Sequence, residues 1–241
     1  MRILVLGMGK TGKLVAEVAA ERGHGVNVLD AKENADASAL TPPFVAGFDV
    51  VIDFTTPGAA IQNMRACLAT SAKMVIGTTG WYDKLPDMRG LAERKQAGLL
   101  YGTNFSIGVQ VMLQLAKKMA EMLKDAGYEF SIEETHHTSK LDAPSGTAMS
   151  LATAVVEGMK KGPPVEGLVM QLNQYHVQIE SKRVGDVAGI HTLIAKSGAD
   201  KLLLTHEAFS RRGFAEGAVR AAEWLSSRTG CYDFQDVYTA M

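Results

Sequence analysis

The sequence is poor in the features that mark secreted, disulfide-rich and nucleic-acid-binding chains. Its 241 residues include only 2 cysteines and 7 prolines. Cys67 and Cys231 lie far apart without CxxC spacing, so we interpret both as buried thiols in a reducing compartment. Lys and Arg number 25 against 26 Asp and Glu. Without a basic surplus, nucleic acid is not expected as a partner.

Long hydrophobic runs are also missing. No stretch approaches the ~18 to 20 apolar residues that a membrane span needs. The apolar run at residues 1–10 is too short for a signal peptide and lacks its small-residue cleavage site. We therefore expect a cytoplasmic protein without a membrane partner. With 46% hydrophobic and 21% charged residues, the chain has the composition of a globular protein of one large or two small domains.

The first hundred residues alternate between short apolar runs and segments with helical spacing. A strand at 2–6, a helix at 13–22 and a strand at 25–30 predict a βαβ unit. Parallel strands need crossovers that cover the sheet, so continued alternation predicts a doubly wound parallel sheet. The segment 31–48 contains two prolines, and we expect a loop or one short turn there. Further strands are predicted at 50–54, 74–77 and 99–102, with helices at 59–72 and 88–97.

After residue 104 the pattern changes. An amphipathic helix at 109–123 precedes a polar strand-like run at 128–137, and a second helix is predicted from about 147 to 159. Three runs within 169–209 look like antiparallel strands, and this order is typical of an α+β domain. We predict an α/β fold class with two parts: a Rossmann-like doubly wound parallel sheet made of 1–104 and 213–241, to which the last helix (214–227) returns, and a smaller α+β domain with an open mixed sheet, made of 105–212.

A glycine-rich turn after the first strand is the first indication of chemistry. Residues 7–12 read GMGKTG, a GxGxxG pattern between a strand and a helix. Glycines permit a tight turn and a close approach to a pyrophosphate, whose charge is favoured at a helix N-terminus. In this βαβ context we predict dinucleotide binding rather than a plain structural turn. The predicted contacts are Gly7, Met8, Gly9, Lys10, Thr11 and Gly12.

Asp30 stands at the end of the second predicted strand, 18 residues after Gly12. An acid in that place accepts hydrogen bonds from the adenosine ribose, and it disfavours a 2′-phosphate because two anions would meet. Lys10 and Lys32 can offset that phosphate charge. We expect NADH as the cofactor, with NADPH also accepted. The structural alternative for Asp30 is a solvated strand end.

The segment 134–148, ETHHTSKLDAPSGTA, is the second indication. His136 and His137 precede Lys140 by a few residues, and a Ser-Gly-Thr sequence opens a helix. The set offers a proton donor, a fixed cation and an anion-binding helix N-terminus, which suits a small dicarboxylate. Adjacent histidines alone are more often surface or core residues. We predict no metal, because no cysteine or third ligand has suitable spacing.

This segment resembles the signature of the dihydrodipicolinate reductase family, the reductases of the diaminopimelate route to lysine. The resemblance covers nearly the whole chain in family order, and Ile190 stands where a glutamate is common in the family. The segment 31–48 is shorter than in many relatives. The other matching segments are 7–12, 53–57, 77–80, 104–109, 183–186 and 211–224.

The resemblance implies an oxidoreductase that uses NAD(P)H to reduce 4-hydroxy-tetrahydrodipicolinate, and a homotetramer assembled by the second domain. It implies that His136 is the general acid/base and Lys140 a proton donor. His137, Gly146 and Thr147 are then expected to hold the substrate carboxylates. The resemblance also adds Gly77, Thr78, Thr79, Gly102, Thr103, Asn104 and Phe105 to the cofactor site.

Two other functions stay open. A two-domain dehydrogenase of amino-acid pathways, of the homoserine or aspartate dehydrogenase type, shares the Rossmann half without the 134–148 segment. A non-catalytic NAD(H)-sensing regulator would need no proton donor. The His136 and Lys140 pair distinguishes the reductase from both.

Overall fold

The structure is a computed structural model that describes residues 1–159 and 177–241. The chain divides into two compact units. The first comprises Met1–Ile107 and Arg211–Met241, and the second comprises Gly108–Ser210. The first of the three strands predicted within 169–209 lies partly outside the described residues. Within the described ranges, no helix combines the length and the hydropathy needed to cross a membrane.

A six-stranded parallel sheet forms the centre of the first unit and confirms the predicted doubly wound sheet. Its inner strands are buried on both faces because helices cover both sides, which explains their continuous apolar runs. The strands are β1 (Arg2–Leu6), β2 (Gly25–Leu29), β3 (Val50–Asp53), β4 (Lys73–Ile76), β5 (Gly98–Tyr101) and β10 (Gly230–Asp233), in the order β10-β5-β4-β3-β1-β2.

The helices of this unit begin two to three residues before their hydrophobic spacing predicts. Helix α1 (Lys10–Glu21) starts directly after Gly9, and α3 (Pro57–Leu68) and α4 (Leu85–Arg94) start with proline in the first turn, where its missing N–H costs nothing. The segment 31–48 contains two short helical turns, where the sequence predicts a loop or one short turn. The remaining elements are α2 (Pro42–Val45), α7 (Arg212–Leu225), α8 (Phe234–Val237) and the 3-10 turns Ala35–Ala37, Tyr82–Lys84 and Tyr238–Ala240.

Two features of the first unit differ from the sequence predictions. Strand β10 was not predicted, and it pairs in parallel with β5 at the edge of the sheet. Cys231 lies on this strand and is half-buried, so the prediction of full burial is wrong for it, whereas Cys67 is fully buried. The edge position explains the difference, because only one side of β10 is covered by a neighbouring strand. Both cysteines are free thiols.

The second unit contains a four-stranded mixed sheet, which confirms the predicted open mixed sheet. The later strands pair antiparallel as predicted, but β7 pairs in parallel with β6, which lies between β7 and β8. The elements are α5 (Ile107–Leu123), β6 (Glu129–His136), α6 (Gly146–Met159), β7 (Gln178–Arg183), β8 (Gly189–Lys196) and β9 (Lys201–Ala208), with the strand order β7-β6-β8-β9.

Alternate residues of β6 face the core of the second unit. Phe130 and Ile132 pack there with Leu193 of β8, beneath helices α5 and α6. Glu134 and His136 continue the same buried face toward the carboxyl end of the strand. Polar groups therefore occupy core positions at this end of the sheet, and buried polar groups need partners.

Candidate active site

The GxGxxG loop joins β1 to α1, and its glycines have different reasons to be glycine. Gly7 has a φ of +96°, and a Cβ there would lie 2.5 Å from the carbonyl oxygen of Phe54. A Cβ on Gly12 would collide with the carbonyl oxygen of Gly7. Both glycines allow the helix and strands to approach closely.

Gly9 is the N-cap of α1 and faces open space. Among the described residues, no heavy atom lies within 4 Å of a Cβ placed on it, and no side chain caps the helix. The first backbone N–H groups of a helix need acceptors and attract anions. This opening in front of α1 therefore fits the phosphates of a dinucleotide.

Two cavities share Gly9 as a wall residue. One, of about 480 Å³, extends from the glycine loop to Asp30 and Asp36. The other, of about 410 Å³, is lined by Lys10, Thr11 and Arg211. The first unit thus offers an acidic cavity on one side of the loop and a basic one on the other.

Asp30 follows β2 and is held at the wall of the acidic cavity. Its Oδ1 accepts a hydrogen bond from the backbone N–H of Ala31 at 2.7 Å, and its own N–H donates to Glu33 Oε2 at 3.2 Å. Lys10, which was expected to offset a 2′-phosphate, lines the other cavity. Carboxylates favour a hydroxyl over a phosphate as the group they contact.

Asp53, which has no predicted role, is buried beneath the loops that line both cavities. Its Oδ1 accepts hydrogen bonds from Thr55 N–H (2.9 Å), Thr55 Oγ1 (2.7 Å) and Thr78 Oγ1 (2.9 Å), and its Oδ2 accepts from Asn63 Nδ2 (2.7 Å). Burial raises the pKa of Asp53, and these bonds only partly oppose the rise. Asn63 Oδ1 accepts in turn from Asn34 at 3.0 Å, so one network connects the two cavity walls.

The remaining predicted cofactor residues fall into two groups. Residues 77–79 line the basic cavity. Neither cavity, as the described residues form it, is lined by 102–105. The Phe105 ring is instead buried against Phe234, with the two ring centroids 4.6 Å apart.

In the second unit, a buried carboxylate lies between three strands. Glu134 of β6 is opposite Ser181 of β7 and His191 of β8. Its Oε1 accepts from Ser181 Oγ at 2.7 Å, and its two oxygens accept from the backbone N–H of Ser145 at 3.0 and 3.2 Å. Burial raises the pKa of Glu134, but these hydrogen bonds and His136 outweigh burial and leave the pKa lowered. The carboxylate is therefore ionised at neutral pH.

His136, the predicted general acid/base, is 7% exposed and adjoins this carboxylate. Its Nδ1 lies 3.5 Å from Glu134 Oε2. Burial lowers the pKa of His136, Glu134 raises it, and Lys140 and Arg183 lower it, so the net shift is downward. The Glu134 carboxylate therefore raises the pKa of His136, whereas burial and the two cations lower it.

His191 is the second histidine of this cluster. Burial first and His136 second lower the pKa of His191 to about 4, so it is neutral. Its Nε2 lies 3.1 Å from Ser145 Oγ and 3.6 Å from Glu134 Oε2. The possible ligand atoms of Glu134, His136 and His191 lie within 4.8 Å of one another, which is compatible with one metal ion. Because the carboxylate already accepts three hydrogen bonds, the contacts favour a histidine-orienting role.

His137 and Lys140 lie on the loop after β6. The Nδ1 of His137 is 2.8 Å from Ser139 Oγ, and Lys140 Nζ is 2.8 Å from an oxygen of Asp142. Arg183, at the end of β7, donates to the backbone carbonyls of Lys140 (3.2 Å) and Asp142 (2.5 Å). These bonds hold the loop that carries the predicted cation.

Ser145 connects the carboxylate to the start of α6. Its Oγ accepts from the backbone N–H of Ala148 at 3.2 Å, as an N-cap does. Gly146 and Thr147 form the first turn, and no heavy atom of the described chain lies within 4 Å of a Cβ on Gly146. Through Glu134 and Ser145, the structure brings the predicted acid and the predicted anion site together.

Sequence patterns single out none of four residues that the structure places in these sites: Asp53, Glu134, Arg183 and Arg211. One signal was available for Glu134, because strict alternation of residues 130, 132, 134 and 136 places it on the core face, where a lone carboxylate is rare. Asp53 ends an apolar strand, where burial of an acid is equally unusual. The partners of both residues come from distant segments and have no local signature.

Comparisons with known proteins extend over both units. The family profile described as "Dihydrodipicolinate reductase, N-terminus" matches residues 1–105, and the corresponding C-terminus profile matches 108–238. A relative from Christiangramia forsetii named 4-hydroxy-tetrahydrodipicolinate reductase is 37% identical, over 98% of this chain and 97% of its own. A relative of the same name from Chromohalobacter salexigens is 35% identical, over 96% and 85%.

Solved structures share the fold. A dipicolinate-bound dihydrodipicolinate reductase from Paenisporosarcina sp. TG-14 has a TM-score of 0.77 at 24% identity, covering 98% of this chain and 99% of its own. An amine dehydrogenase from Mycobacterium smegmatis has a TM-score of 0.60 at 10% identity, covering 98% and 95%. The fold is thus shared by proteins with different names, whereas both matching family profiles describe dihydrodipicolinate reductase. The chain belongs to the dihydrodipicolinate reductase family.

Proposed function

We propose that this chain is a 4-hydroxy-tetrahydrodipicolinate reductase of the diaminopimelate route to lysine. Its family and its named relatives support the reaction. The structural observation that carries the proposal is the buried Glu134–His136 pair, joined through Ser145 to the start of α6. A regulator that only senses NAD(H) has no use for a buried proton donor beside an anion site.

We propose that the first unit binds the cofactor, with its phosphates at the N-terminus of α1. When bound there, a reduced nicotinamide supplies the hydride. Asp30 and Asp36 support a preference for NADH with NADPH also accepted, because both line the acidic cavity where the adenosine ribose is expected. The proposed contacts remain Gly7 to Gly12, Asp30, Gly77 to Thr79 and Gly102 to Phe105.

The second unit is proposed to bind the dicarboxylate substrate. Gly146, Thr147 and His137 hold its carboxylates and orient the ring. After the substrate loses water, hydride addition at ring C4 leaves an enamine that must be protonated at the neighbouring carbon. His136 supplies that proton, and Lys140 provides positive charge next to the electron density that builds up in the transition state.

The second unit is also proposed to assemble a homotetramer. Strand β9 is the edge of its sheet, and Leu202 and Leu203 are 43% and 57% exposed. An apolar sheet edge is a surface that a second copy can cover. Light scattering after gel filtration should give four times the chain mass of 25.8 kDa, and a monomer would refute this assembly.

The reaction is tested by following NADH oxidation with substrate formed in situ from pyruvate and aspartate semialdehyde. Pyridine-2,6-dicarboxylate should compete with the substrate. Pyridine-2-carboxylate lacks one carboxylate and should bind more weakly by ~2 to 3 kcal/mol, which is about 30- to 150-fold. Equal inhibition by both compounds would rule out the proposed substrate site. A lack of NADH oxidation would rule out the proposed reaction.

A further inference from the structure

We propose that Glu134 is a positioning residue for His136: its carboxylate holds the histidine ring through Nδ1 and connects the proton donor to the start of α6. This inference rests on the proposed function, in which His136 donates a proton to the substrate. It assigns a role to a side chain that does not itself touch the substrate.

The carboxylate is fixed before it meets the histidine. Glu134 is 1% exposed. One oxygen accepts from Ser181 Oγ on the neighbouring strand, and both accept from the backbone N–H of Ser145. Because two different elements supply these donors, the carboxylate cannot rotate away without breaking buried hydrogen bonds.

The Nδ1 atom of His136 is fully buried and lies next to a carboxylate. Among the described residues, no group meets the geometry of a hydrogen bond to it. Glu134 Oε2, at 3.5 Å, is the nearby oxygen of an ionised group. An N–H at Nδ1 directed at this carboxylate leaves Nε2 as the atom that exchanges a proton, because the partner of one ring nitrogen sets the role of the other.

The Nε2 edge of the ring packs against a glycine. A Cβ on Gly189 of β8 would lie 3.2 Å from His136 Nε2 and 3.3 Å from Cδ2. The ring is thus supported on its Nδ1 side by a carboxylate, while the Nε2 side meets a residue without a side chain. This asymmetry matches a proton donor that acts through Nε2.

Charged groups face His136 from each neighbouring element. Glu134 lies on its own strand, Lys140 and Asp142 on the following loop, Arg183 at the end of β7, and the neutral His191 on β8. The two cations lower the pKa of His136, and the two carboxylates raise it. Of the two carboxylates that raise the pKa of His136, Glu134 has the larger effect. Removing its charge should therefore lower the pKa of His136 further.

The test is Glu134→Gln in the full-length protein. Glutamine keeps an acceptor for Ser181 and Ser145 but removes the charge, so turnover should fall about tenfold or more at neutral pH. The loss should shrink as the pH falls, because the limb of the pH profile that reports protonated His136 moves to lower pH. The affinity for NADH should not change.

Glu133→Gln is the matched control. Glu133 is the adjacent residue on β6, points to the other face of the sheet and pairs with Lys182 at 3.1 Å. Its substitution should leave both turnover and the pH profile as in the wild type. A loss in both variants would mean that charge anywhere on β6 matters, which would overturn the specific role of Glu134.

A titration of His136 followed by NMR decides the proposal without turnover. The His136 signal, assigned by its loss in His136→Gln, should titrate at lower pH in Glu134→Gln than in the wild type. An unchanged titration, or equal activity loss at every pH, would overturn the proposal. If wild-type protein oxidises no NADH, the proposed function fails while this titration still tests the pairing.

Glu134→Asp covers the case in which the glutamine variant does not fold. Aspartate keeps the charge but withdraws it by one methylene from Nδ1. We expect a lower kcat with a pH profile closer to that of the wild type than complete charge removal would give. Wild-type kcat in a folded Glu134→Asp variant would refute positioning.

Discussion

Among the described residues, each unit buries one carboxylate at or near the carboxyl end of a sheet strand, and the surroundings of the two carboxylates shift their pKa values in opposite directions. Asp53 of β3 and Glu134 of β6 are 0% and 1% exposed. The donors to Asp53 are hydroxyls, an amide and a backbone N–H, all neutral, and burial raises its pKa. The donors to Glu134 from Ser145 and Ser181 are neutral too, but together with His136 they outweigh burial, and the pKa of Glu134 is lowered. Partners, not burial alone, decide the charge of a buried acid.

The difference corresponds to the work proposed for each unit. In the first unit, the reactive group is supplied by a bound cofactor, and Asp53 only has to hold Thr55, Thr78 and Asn63 in place. In the second unit, the chain itself supplies the proton, so a carboxylate that stays ionised beside a histidine has a chemical use. Asp53 therefore supports the proposed cofactor-binding surface, and Glu134 supports His136, the proposed proton donor.

The largest effect should come from removing the acid of the second unit. His136→Gln should reduce kcat by about 10²- to 10⁴-fold, the usual contribution of a positioned general acid. The affinities for NADH and for pyridine-2,6-dicarboxylate should stay nearly constant, because neither depends on proton transfer. Steady-state kinetics and calorimetric titration measure both. A parallel loss of inhibitor affinity would show that His136 binds the substrate instead.

The second effect concerns the network of the first unit. In Asp53→Asn, the new amide would face Asn63 Nδ2, which now donates to Asp53 Oδ2. Asn63 must then flip and lose the bond it accepts from Asn34, so the free energy of unfolding should fall by about 1 to 3 kcal/mol. Both tryptophans, Trp81 and Trp224, belong to the first unit, and their fluorescence during urea unfolding measures the change.

The kinetics of Asp53→Asn test whether Asp53 and Glu134 have separate roles. Asp53→Asn should weaken NADH binding, because Thr55 and Thr78 line the basic cavity, but it should leave the pH dependence of kcat unchanged. A shifted pH profile in Asp53→Asn would mean that the two carboxylates do not have separate roles.

Local patterns predicted the elements better than their partners. The alternation of apolar runs in the first hundred residues was enough for five of the six parallel strands. Strand β10 reads GCYD, which has neither an apolar run nor a period, and its place depends on pairing with β5. The parallel pairing of β7 with β6 joins residues 47 positions apart, and no local signal specifies such a partner.

For the site residues too, local sequence predicts the contiguous motifs but not the distant partners. The glycine loop and the 134–148 segment are contiguous, so their chemistry could be inferred from spacing. The role of Glu134 depends on Ser181, 47 residues away, and on His191 of the opposite strand. Only the folded sheet brings these side chains into contact.

A smaller effect is expected at the acidic cavity of the first unit. Asp30→Ala should weaken NADH binding by ~1 to 2 kcal/mol, about 5- to 30-fold, through the loss of a charge-assisted hydrogen bond. NADPH should lose less, because removing the acid also removes repulsion of its 2′-phosphate. Calorimetry with both cofactors measures this, and equal losses would mean that Asp30 does not contact the ribose.

The smallest expected effect is on stability as a function of pH. The contributions of Asp53 and Glu134 should change with pH in opposite directions. Asp53 has a raised pKa, so its contribution to stability is greatest below its ordinary value of 3.8 and declines as the pH rises through the folded value. Glu134 has a lowered pKa, so its contribution is present above its ordinary value of 4.5 and is lost as the pH falls through the folded value.

Neutral variants isolate each contribution. As the pH rises from the acid range toward neutrality, the stability of the wild type relative to Asp53→Asn should decrease, whereas its stability relative to Glu134→Gln should increase. Urea unfolding at a series of pH values measures both, with tryptophan fluorescence for the first variant and circular dichroism for the second. Slopes of the same sign would contradict the opposite pKa shifts, because they would mean that the hydrogen bonds from Ser145 and Ser181 and the adjacent His136 do not outweigh burial at Glu134.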